Sequence, residues 1–69
     1  MSEQVASLKF QDLDEKCEGY AATKFEDGQV VLVLSLQVDG DIQICVKPSD
    51  ARAIAEALEV AADRAEGKQ

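Results

Sequence analysis

From Gln29 to Val38 the chain reads QVVLVLSLQV. Side chains on a strand alternate between two faces. Val30, Leu32, Leu34, Leu36 and Val38 therefore share one face, which we term the even face, and Val31, Val33, Ser35 and Gln37 share the other, the odd face. The even face reads as the primary core. The odd face still carries two valines, so this strand asks for cover on both sides, and that demand limits what the rest of the chain can be.

Upstream, Glu26-Asp27-Gly28-Gln29 contains an Asp-Gly pair, which suits a two-residue hairpin turn. Such a loop sets Phe25 opposite Val30, Thr23 opposite Leu32 and Ala21 opposite Leu34, with Cys17 near Val38 on the same face. Downstream, Asp39-Gly40 offers a second turn. A two-residue loop there would turn Ile42, Ile44 and Val46 away from the even face, because a slip of one residue flips every side chain. A longer loop or a bulge is therefore predicted. Cys45 then faces opposite to Cys17, and both read as free thiols because the sheet cannot bring their Cβ atoms together.

At the start of the chain Ala6, Leu8 and Phe10 alternate with Ser7 and Lys9. This favours a strand, although Val5, Leu8, Phe10 and Leu13 also fit a short helix; the strand is the reading adopted. Gln11 to Lys16 is then an acidic connection. The last element is PSDARAIAEALEVAADRAEGK, in which Ala51, Ile54, Ala55, Leu58, Ala61, Ala62 and Ala65 recur at the three-four spacing of one helix face. A helix is predicted over about Ser49 to Glu66, with Ser49 capping its first amides, Asp50 near the positive end of the dipole and Gly67 closing the far end. The stripe is mostly alanine and brings little volume to a core, so Ile54 and Leu58 must do most of the filling.

The predicted fold is α+β: over residues 1–69, a single β-β-β-β-α domain with an antiparallel four-stranded meander followed by one C-terminal amphipathic helix packed on one face. A chain of 69 residues buries only about 60% of its unfolded surface and usually needs a disulfide, a metal or a partner. With no histidine, and two cysteines without CxxC spacing, no zinc site can be assembled from the ordinary ligands. Asp39-Gly40-Asp41 lacks the further ligands of a calcium loop. No metal or cofactor is expected, which leaves a partner chain. The odd face supplies a candidate protein interface in Tyr20, Ala22, Val31, Val33 and Cys45, set among Lys24, Ser35, Gln37, Gln43 and Lys47. A homodimer is the simplest cover.

Catalysis has little to work with. Without histidine, Ser2, Ser7, Ser35, Ser49, Thr23 and the two thiols lack the commonest activating base. The carboxylates of Glu26 and Asp27 lie at one hairpin tip and those of Asp39 and Asp41 at the next, roughly 25 Å apart along the shared strand. No catalytic residue is assigned, and the chain reads as a non-enzyme. Its formal charge of −7 argues against direct nucleic-acid binding. No apolar run reaches the roughly 20 residues of a membrane span, and the first residues lack a basic start with an apolar core. The chain reads as cytoplasmic, with reduced thiols.

The segment VKPSDARAIAEALEVAADRAE, following two apolar strands, resembles small uncharacterised bacterial and bacteriophage proteins. In these a strand runs into a Ser/Pro-Asp/Glu-Ala-Arg start and then an Ile/Leu-Ala-x-Ala-Leu helix. The resemblance covers about residues 30–66 and implies no activity. It implies an accessory product of a phage or mobile element, a group in which some members act by attaching to a host or defence protein. The functional expectation is thus a dimeric, acidic protein-interaction module, an inhibitor of such a target. Two alternatives are a nucleic-acid mimic acting on a basic groove and a binder of small molecules in a dimer cleft. The mimic would use Glu56, Glu59, Asp63 and Glu66, but Arg52 and Arg64 interrupt that row.

Overall fold

The computed structural model describes residues 3–67. Four strands, β1 (Glu3–Asp12), β2 (Cys17–Glu26), β3 (Gln29–Leu36) and β4 (Gly40–Val46), are followed by one helix, α1 (Pro48–Ala65). The strands pair antiparallel in the order β1-β2-β3-β4, and the helix packs on the sheet through β3. This is the predicted α+β meander with its single helix.

The turns explain the register. Asp27 and Gly28 both take positive φ, 52° and 77°, as a type I′ loop requires. Glu26 pairs with Gln29, Phe25 with Val30, Thr23 with Leu32 and Ala21 with Leu34. At the second hairpin Leu36 pairs with Gly40 across a three-residue loop, and Gly40 has φ 86°. That extra residue keeps Ile42 opposite Leu34 and Ile44 opposite Leu32. Cys45 falls opposite Val31 on the odd face, while Cys17 pairs with Asp12 on the even side, and both thiols are free.

Three boundaries differ from the sequence reading. β1 is a strand, with a bulge between Gln4 and Ala6, and it runs on through Gln11 and Asp12 instead of ending at Phe10. The chain reverses in a tighter turn than expected: the Asp14 N–H donates to Asp12 Oδ1 at 3.1 Å, and Lys16 takes a left-handed φ of 55°. At the helix start the cap position belongs to Lys47, not Ser49, and no side chain caps it. Pro48 causes the shift, because its fixed φ and missing N–H suit the first helical position. The C-terminal end closes as expected, with the Gly67 N–H donating to Arg64 O at 3.0 Å and Gly67 at φ 84°.

The largest departure concerns the core. Among the described residues only Cys17 (8% exposed), Gly19 and Val31 (5%) are buried. The even face, expected to be the closed core, stands open: Phe25, Leu34, Ile42 and Ile44 are all exposed, as is Val38 in the loop. The helix does not close it. Ala51 is the one described helix residue that is not exposed, and Ile54 and Leu58 remain in solvent. The Cα radius of gyration is 13.4 Å, in a slab of 39 × 32 × 15 Å, whereas a compact chain of this length has about 11 Å.

Candidate interaction surface

Cross-strand pairing arranges the even face in rows. Leu8 faces Ala21, Ala21 faces Leu34 and Leu34 faces Ile42; beside them run Ala6, Thr23, Leu32 and Ile44, then Phe25, Val30 and Val46. On the other flank Phe10, Gly19 and Leu36 form the fourth row. This is a broad apolar surface with acids only at its margin, where Asp12 pairs with Cys17 and Glu3 with Phe25. Leu8 is 63% exposed and Ile42 61%, so the sheet alone gives these side chains almost no cover.

One close contact within this face is between β1, β2 and β3. A Cβ placed on the buried Gly19 would lie 2.6 Å from Phe10 Cζ and 2.9 Å from Leu36 Cδ2. The ring therefore occupies the space that any other residue at position 19 would claim. Such covering of a strand glycine by a neighbouring aromatic compensates for the missing side chain.

The odd face does bring its five predicted residues onto one side: Ala22 pairs with Val33, Val31 with Cys45 and Tyr20 with Ser35. Their roles need correction. Val31 is not left in water; at 5% exposed it is shielded more deeply than Cys17 and offers little contact area. Ala22 and Val33 are half-buried, leaving Tyr20 and Cys45 as exposed members. Their surroundings are polar. Lys9 Nζ sits 5.9 Å from the centre of the Tyr20 ring and 3.9 Å from Glu18 Oε2, and Ser35 Oγ donates to Asp41 Oδ1 at 2.6 Å. The Lys9–Glu18 pair lies in solvent and contributes little stability. Of the two faces, the even one carries the candidate site.

The hollows are open and shallow: one on the odd face is lined by Glu18, Tyr20, Ser35 and Gln37, another by Leu34, Leu36, Asp39, Gly40, Asp41 and Ile42 at the second hairpin. Among the described residues no group of three or more His, Cys, Asp or Glu is placed to hold a metal ion. None of the described helices is long and apolar enough to cross a membrane. No protein-family model, curated protein or solved structure matches the chain.

The sequence reading expected the even face to be closed because it treated an apolar row as evidence of burial. The signal was present in the helix. A stripe with Ile54 and Leu58 as its only large members can fill only the central part of a face four strands wide.

Proposed function

We propose that this chain is a non-enzymatic protein-interaction module that works as a homodimer, with the even face of the sheet as its contact surface. The observation that carries this reading is the amount of surface left in water. The chain exposes 5642 Å², against about 4,200 Å² for a folded monomer of its mass by the usual size scaling. The excess, about 1,400 Å² per chain, becomes about 2,800 Å² for two, within the range of obligate homodimer interfaces. The open even-face rows contribute to that excess, and a contiguous exposed apolar surface marks an interaction site. Acids stand only at its edge, so two copies with a charge of −7 each can meet there without opposing their carboxylates.

Light scattering on two variants tests the assignment. Leu34→Glu, at the centre of the even face, abolishes the dimer, while Val33→Glu, on the odd face, leaves it intact. A wild-type chain that stays monomeric at high concentration, or a Leu34→Glu variant that still dimerises, overturns the reading.

The finer reading, an inhibitor from a phage or mobile element that occupies a basic surface on a host or defence protein, is supported by the net charge and by the helix motif alone. Affinity capture from bacterial lysate with the dimer as bait tests it; a specific, salt-sensitive basic protein is the expected product.

A further inference from the structure

Two surfaces on this chain lack a cover, and each has the shape of the other's lid. The first is the even face. The second is the apolar stripe of α1, where Leu58 is 66% exposed and Ile54 is exposed as well. The helix rises about 27 Å over its 18 residues, and β3 extends about 26 Å over 8, so one helix laid along β3 can cross all the rows. Yet within one chain the helix meets the sheet at β3 without closing the even face, since every described helix residue beyond Ala51 is exposed.

We infer that in the homodimer the helix of each copy lies on the even face of the other, an exchange of helices between two identical chains. This rests on the homodimer reading above and names what each copy contributes to its partner's site. Two observations favour exchange over the simple stacking of two even faces. Stacked sheets would cover the rows but leave Ile54 and Leu58 in water, whereas exchange buries that stripe and the central part of the face together. The joint between sheet and helix points the same way: a single residue, Lys47, separates Val46 from Pro48. Short, stiff connections leave a terminal element without the slack to fold back on its own domain and favour swapping. Charge is compatible with it. Glu56, Glu59 and Asp63 sit off the Ala51-Ile54-Ala55-Leu58 stripe and stay toward solvent when that stripe docks.

Disulfide trapping between two distinguishable chains tests this. Both carry Cys17→Ala and Cys45→Ala; one adds Leu34→Cys, and the other, enlarged by a tag, adds Ile54→Cys, Leu58→Cys or Ala62→Cys in turn. After mixing, refolding and mild oxidation, the expected product is a mixed-size disulfide dimer for at least one helix position, several-fold more abundant than the Leu34→Cys homodimer. A dominant Leu34→Cys homodimer indicates stacked sheets and overturns the exchange while leaving the homodimer standing. A monomeric internal disulfide in the Leu34→Cys/Leu58→Cys double variant shows that the helix closes on its own sheet and overturns it too. A dimer by light scattering that gives none of these crosslinks also counts against it. A monomer by light scattering removes the homodimer reading itself.

Discussion

The ring of Phe10 lies across Gly19, on the neighbouring strand, so closely that an added methyl would stand 2.6 Å from Cζ. Gly19→Ala must push the ring and Leu36 aside, and forcing extra volume into a packed site typically costs about 1–3 kcal/mol. Because the obstacle is a side chain, the two positions are coupled. The double variant Gly19→Ala/Phe10→Leu is expected to lose less stability than the sum of the single variants, by about 1 kcal/mol in a double-mutant cycle from urea unfolding. Strict additivity would mean that the ring does not occupy that space in solution.

Lys47 holds the cap position of α1 with extended backbone, φ −67° and ψ 152°, yet offers the helix no side-chain acceptor. Serine at this position can accept from the free amides of the first turn, which is worth about 1 kcal/mol. Lys47→Ser is therefore expected to raise the midpoint of thermal unfolding by several degrees, measured at fixed protein concentration because association also moves it. A lowered midpoint would indicate that Lys47 contributes through its charge or its stem.

The two cysteines provide a reporter of which face is covered. Cys45 is exposed on the odd side and Cys17 is buried on the even side. In the folded protein one thiol per chain is expected to react rapidly with a disulfide reagent, and the second only as fast as the protein opens. If Cys45 is protected at concentrations where the protein is paired and becomes reactive on dilution, the odd face is the interface.

Much of the fold was legible because local rules agreed with one another. Asp27-Gly28 dictated a two-residue loop, the alternation of Val30 to Leu36 determined which partner each residue met, and the need to keep Ile42 and Ile44 on the same side demanded the three-residue loop now seen before Gly40. The errors arose where two rules competed. Ser49 is a good cap, but Pro48 fits the first helical position better and started the helix a residue early. Val31 looked like spare apolar surface and turned out to be buried. The even face was misjudged for a different reason: periodicity says which side chains share a side of a sheet, and is silent on whether anything from the same chain reaches across to them.

Lys47 has one more implication. As the sole link between strand and helix, it sets how far the last third of the polypeptide can travel, much as a short tether sets the swing of a gate. Under the proposed exchange, lengthening that link by a few glycines would grant each subunit the freedom to shut its own gate, so a small insertion, with no surface residue altered, is expected to turn the pair into self-sufficient singles.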